Sequence, residues 1–167
     1  MGQGYNMVCP KCGYEFSTSF GVGMMFPKVY ENVVQKGKCG ELGEELQKFL
    51  LEHPDGAINA SYVVGMCKKC GWLENIMDLS MYLPKEGFKP EKPKGRWSVA
   101  FPGTDIEYVD PWDLSNKNHY ELFAKYPHKC KRCGGGVEIF KEEERNYFRC
   151  PRCKMRLQDT GCITCWD

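Results

Sequence analysis

Ten of the eleven cysteines fall into five CxxC pairs, Cys9/Cys12, Cys67/Cys70, Cys130/Cys133, Cys150/Cys153 and Cys162/Cys165, leaving Cys39 alone. A CxxC turn sets two thiolates side by side where one tetrahedral ion can take both, whereas disulfide scaffolds scatter cysteines to close long loops. Sulfur ligation of metal is the chemistry to expect. Four thiolates close the shell of an ion and leave no position for water or substrate, so the expected role is structural. The chain carries no nucleophile elbow, no HExxH, no deaminase-type HxE and no phosphate-binding glycine loop, so no catalytic residue is expected.

Cys9-Pro-Lys-Cys12-Gly-Tyr and Cys67-Lys-Lys-Cys70-Gly-Trp share the pattern CxxCG-aromatic, which predicts that Cys9, Cys12, Cys67 and Cys70 form one site. Sixteen residues separate Cys133 from Cys150, a common hairpin length, which predicts a second site of Cys130, Cys133, Cys150 and Cys153. Swapped knuckles would change the architecture without changing the composition, so the pairing stays open. Zinc is expected at both sites. Rubredoxin-type iron suits the same donors but is the rarer use.

The tail pair Cys162/Cys165 has three readings: a redox pair, a replacement for Cys130/Cys133 or a third ion with Cys39 and His119 or His128, and a packed or frayed tail with two free thiols. Low-pKa redox pairs belong at a helix N-terminus, and no helix is expected after Cys165. The third reading is preferred. His53 and His119 are read as surface residues.

Several elements must position these ligands. Glu15–Ser19 and Leu73–Leu83 read as extended after their knuckles, and Ala60–Met66 as a strand delivering Cys67. Between Cys12 and Cys67 lie 54 residues in which two helices fit. One starts at Pro27 and repeats Val29, Tyr30, Val33 and Val34 until Gly37; the other, about 41–52, carries Leu42, Leu46, Phe49 and Leu50. Strands are expected over Trp97–Phe101, Ile106–Val109, Val137–Phe140 and Tyr147–Arg149, with a charged turn Lys141–Arg145. A short helix with Leu114, Tyr120, Leu122 and Phe123 inward is expected within Pro111–Lys125.

The fold class expected is α+β, with two small antiparallel zinc-ribbon modules, the first carrying a two-helix insertion at about 27–53. Residues 1–83 form the first module. A Pro/Lys/Gly-rich connector at 84–96 and a mixed segment at 97–128 follow, and residues 129–167 hold the second module with its tail.

Net charge is +1, yet residues 125–156 carry ten basic and four acidic side chains. Lys131, Arg132, Arg145, Arg149, Arg152, Lys154 and Arg156, with Tyr147, are candidate nucleic-acid contacts on a small hairpin that also carries Lys129 and Phe148: cations neutralise phosphates and exposed aromatics stack on bases. Cations around an anionic metal–thiolate centre are also expected for electrostatic reasons alone. Met1–Met7 has neither a basic nor an apolar leader region, and no apolar run approaches membrane-spanning length, which predicts a cytoplasmic protein without membrane contact.

Cys9-Pro-Lys-Cys12-Gly, Cys67-Lys-Lys-Cys70-Gly, Cys130-Lys-Arg-Cys133-Gly and Cys150-Pro-Arg-Cys153 resemble the knuckles of the zinc-ribbon, or rubredoxin-like, superfamily over about half the chain. The resemblance implies metal ligation. It leaves function open, because such ribbons serve in transcription, translation, RNA processing and protein docking. The function expected is a non-catalytic structural-zinc adaptor for a protein or nucleic-acid partner, with no small-molecule substrate; the alternative is a thiol-redox or electron-transfer protein.

Overall fold

A computed structural model describes residues 2–89 and 107–166. The strand expected over Trp97–Phe101 and most of the 84–96 connector lie outside these residues, and so does Ile106, while residues 107–109, expected to continue a strand from Ile106, form none. The fold is α+β, built on small antiparallel three-stranded sheets. Its chain divides into two units, each discontinuous in sequence: Met1–Gly23, Ser61–Asp78 and Pro127–Asp167 in one, Met24–Ala60 and Leu79–Tyr126 in the other.

In the first unit, β1 (Gly2–Val8) is flanked by β2 (Glu15–Phe20) and β9 (Gln158–Trp166), both antiparallel to it. Gln3 pairs with Phe20 and Val8 with Glu15, while on the other side Val8 faces Gln158 and Gln3 faces Cys165, with a register shift between Tyr5 and Met7. The tail is therefore a paired strand. A second sheet places β4 (Tyr62–Cys67) between β5 (Leu73–Met77) and β8 (Val137–Phe140). The β-branched pair Val63 and Val64 is buried at its centre, as a central strand demands.

One core serves both sheets. Tyr5, Met7 and Phe20 from the first pack with Val64 and Leu73 from the second and with Phe148 and Leu157 from the segment that leads into β9, and Met66 and Phe140 pack against them. Phe148 has no exposed surface; it stacks on Phe20 at 6.5 Å and meets Phe140 edge-on at 5.8 Å. Burying such a ring completely contributes on the order of 2–3 kcal/mol.

The second unit holds both predicted helices, α1 (Phe26–Lys38) and α2 (Glu44–Glu52). Pro27 sits in the first turn of α1, and Tyr30 and Val33 turn inward with Phe26. Gly37 admits Leu50 of α2 where a Cβ would stand 2.5 Å from its Cδ1. The sheet of this unit runs β3 (Ala57–Ile58), β6 (Met81–Pro84), β7 (Tyr120–Ala124). Asp110 caps α3 (Pro111–Ser115) by accepting from the Trp112 N–H at 2.9 Å.

Several expectations need correction. Leu73–Leu83 is not one extended run, because Leu79 takes φ +58 and breaks it into β5 and β6, which join different units. Pro111–Lys125 is a helix of one turn followed by a strand, so that Leu114 and Tyr120 are buried but Leu122 and Phe123 are about half exposed. Tyr147–Arg149 is not a hairpin strand: a 3-10 helix covers Glu142–Tyr147, and Arg149 makes only an isolated bridge to Arg156. The expected partner strand of that hairpin, β8, pairs with β4 instead.

Candidate metal centres

Each of the first four CxxC pairs sits on the same turn. The N–H of the first cysteine donates to the carbonyl five residues on, and the N–H four residues on donates back to the first cysteine. The pairs of bonds are Cys9→Tyr14 and Gly13→Cys9, Cys67→Trp72 and Gly71→Cys67, Cys130→Gly135 and Gly134→Cys130, Cys150→Met155 and Lys154→Cys150, all between 2.7 and 3.0 Å. The residue after the second cysteine takes a left-handed conformation, φ +67, +73 and +69 at Gly13, Gly71 and Gly134, and +64 at Lys154. Glycine adopts it freely; a lysine there is strained by about 1 kcal/mol.

Two groups of four thiols result: Cys9, Cys12, Cys150 and Cys153 in site A, and Cys67, Cys70, Cys130 and Cys133 in site B, with all Sγ atoms of a group within 4.8 Å of one another. In site A, Cys9 lies 3.3 Å from Cys153, and Cys12 lies 3.5 Å from Cys150 and 3.8 Å from Cys153. In site B, Cys67 lies 3.4 Å from Cys133 and Cys70 3.8 Å from Cys130. Four sulfurs at about 2.3 Å from a zinc stand about 3.8 Å apart, so both groups fit a tetrahedral ion after small adjustments. The eight expected ligands thus assemble, but the expected pairing of Cys9/Cys12 with Cys67/Cys70 does not. The first knuckle closes with the fourth and the second with the third, one ribbon nested inside the other.

Strand ends position the ligands. Cys9 follows β1, Cys67 ends β4, and the two later knuckles precede β9 and β8. The first cysteine of each knuckle is buried and the second more open, Cys12 being exposed. Turn amides aim at the first sulfur. Burial raises the Cys9 thiol, but the N–H groups of Cys12 and Lys11 and the thiols of Cys153 and Cys12 outweigh it and bring it down to about 6. At Cys67 the Cys70 N–H, 3.4 Å from the sulfur, leads the same lowering to about 6. At Cys12 the Tyr14 N–H lowers the thiol, yet burial and the three neighbouring thiols together push it up to about 12. Cys133 goes up to about 11, where the Gly135 N–H is outweighed by Cys67 and burial. A divalent cation removes this conflict by accepting all four sulfurs as thiolates.

A further device spans each pair of knuckles. The Arg152 guanidinium lies 5.4 Å from the Tyr14 ring centroid in site A, and that of Arg132 lies 5.3 Å from Trp72 in site B. Arginine of one knuckle thus latches the aromatic residue of the other, a contact worth about 0.5–1 kcal/mol where exposed. Lys154 also reaches between sites, donating from Nζ to the Cys70 carbonyl at 3.1 Å and to Pro151 at 3.3 Å. Phe148, expected beside Tyr147 as an aromatic of the basic hairpin, is fully buried in the core instead; the latches and this clasp escaped the sequence reading.

The remaining candidates fall elsewhere. Cys162 and Cys165 lie in β9, with Cys165 exposed, and Cys39 is exposed beyond α1. Among the described residues no third group of ligands gathers. His119 faces Asp113 and Asn116, and His128 contacts the Asp78 carbonyl at 2.8 Å. Of the basic candidates, Lys131 pairs with Glu74 at 3.5 Å and Arg145 with Asp159 at 3.3 Å while lying over the Tyr5 ring. Arg149 donates to the Lys154 carbonyl and Arg156 to that of Asn146. Tyr147 is 67% exposed. Among the described residues no helix is long and apolar enough to cross a membrane.

Comparisons of the chain with protein-family models, with curated proteins and with solved structures returned no match.

Proposed function

We propose that sites A and B each hold a structural zinc ion and that the chain is a non-catalytic docking scaffold for a macromolecular partner. The observation that carries this reading is the donor set: four thiols per site, delivered by two knuckles from distant parts of the chain. A closed tetrahedral shell offers zinc no open position, so the ion supplies folding energy, on the order of 10 kcal/mol or more for structural zinc, instead of reactivity. Here each ion would join strands that small sheets with a limited core hold weakly by themselves.

Elemental analysis of protein purified without chelator tests the assignment. Two zinc per chain, and loss of near-ultraviolet circular dichroism on chelation, are expected; iron in place of zinc, or a chelated protein that keeps its fold, contradicts it. Because Cys12 and Cys133 hold protons at neutral pH, zinc uptake releases protons and zinc affinity falls as the pH is lowered. Proton release in weak buffer measures this.

A further inference from the structure

The two ribbons are quasi-equivalent, which makes each a control for the other. In site B the bridge behind the later knuckle is Lys129↔Gly136; in site A it is Arg149↔Arg156. Like charges directly opposite across an antiparallel bridge repel, and the second ribbon avoids this with a glycine. Arg156 also stands where Gly136 shows that no side chain is needed for the turn.

Neighbouring charges do not neutralise the pair. Residues 148–157 contain Arg149, Arg152, Lys154 and Arg156 and no acid. Among the described residues none of these four forms an ion pair, whereas Lys131 of the other ribbon is held by Glu74. Their hydrogen-bond acceptors are neutral backbone carbonyls. Counter-charge for a metal–thiolate centre accounts for cations on the turn itself, such as Arg152 beside Tyr14. It does not require two more arginines set against each other behind the turn.

The side chains here share a face. Phe148 and Leu157 are buried, joined by the Leu157 N–H donating to the Phe148 carbonyl, and the bridged residues beside them, Arg149 and Arg156, are exposed, as is Tyr147 at the end of the 3-10 helix. Arg156 bonds the Asn146 carbonyl, which places its guanidinium at the peptide that leads into the exposed Tyr147.

From this arrangement we infer that the face formed by Tyr147, Arg149 and Arg156 binds single-stranded nucleic acid, the two arginines taking successive phosphates and Tyr147 stacking on a base. Unpaired cations bordering an exposed aromatic match the two contacts such a strand offers, an anionic backbone and an apolar base face. An acidic protein segment would use the cations but would gain little from Tyr147. The inference rests on the docking reading above and names its partner.

The test uses the full zinc-loaded chain and a fluorescently labelled single-stranded oligonucleotide of mixed sequence, titrated over a range of potassium chloride. Affinity is expected to fall steeply with salt. In the Arg149→Gln/Arg156→Gln variant the slope of log K against log salt is expected to shrink by about 1.4, the loss of two phosphates on a single strand. Tyr147→Ala is expected to weaken binding by about tenfold while leaving the slope unchanged. Lys131→Gln, on the other ribbon, is expected to change neither. The inference is overturned if the wild type shows no salt-dependent binding, or if the double arginine variant keeps the full slope. Equal binding of a polyglutamate peptide, insensitive to Tyr147→Ala, also overturns it in favour of an acidic protein partner. Zinc content is measured on each sample, so a chain that folds with two zinc but binds no strand defeats this inference alone, whereas a folded chain without zinc defeats the structural-zinc reading.

Discussion

Two residues ahead of Cys150, site A has Phe148, buried at the centre of the core; two residues ahead of Cys130, site B has His128, half-buried against the Asp78 carbonyl. Behind the turn the contrast reverses. Site B has Gly135, where a Cβ would lie 3.3 Å from the sulfurs of both Cys133 and Cys67, and site A has the exposed Met155. Similar knuckles therefore do different work. Site A ties its ligands to the shared apolar core, and site B closes by bringing backbone against sulfur.

Substitution at equivalent positions can break this contrast. Phe148→Ala should lower unfolding free energy by about 3–5 kcal/mol, as for a fully buried ring, while His128→Ala should lower it by about 1 kcal/mol. Denaturant unfolding measures both, and equal effects would show that the core is not centred on site A. Gly135→Ala should weaken one of the two zinc sites by about tenfold or more, because overpacking costs about 1–3 kcal/mol, whereas Met155→Ala should leave both unchanged. A competition titration with a chromophoric chelator separates these outcomes.

Smaller effects sharpen the comparison. Arg132→Ala and Arg152→Ala remove matching latches and should each cost about 0.5–1 kcal/mol, so unequal losses would break the equivalence of the ribbons. Gly134→Lys should cost about 1 kcal/mol through its left-handed backbone. Lys154→Gly removes that strain but also the bond to the Cys70 carbonyl, and thermal melting should register a smaller net change than for Gly134→Lys.

The ligands were legible because CxxC is a local pattern, and α1 and α2 were legible because their apolar residues recur at helical spacing. The pairing was not. Likeness between Cys9-Pro-Lys-Cys12-Gly-Tyr and Cys67-Lys-Lys-Cys70-Gly-Trp reads as complementarity, yet in the structure it marks equivalent places in two ribbons, each needing an aromatic residue for its arginine. The tail was unreadable for a related reason: β9 is defined by pairing with β1 from the other end of the chain, and nothing near Cys162 signals it. Leu122 and Phe123 misled because apolar residues do not disclose which side of a short strand is covered.

Zinc counted in two double variants tests the nested pairing most directly. Cys9→Ser/Cys150→Ser strikes one site twice and should retain one zinc per chain; Cys9→Ser/Cys67→Ser strikes both sites and should retain none. One zinc in the second variant, with none in the first, would contradict the nested architecture and restore the sequential pairing of neighbouring knuckles.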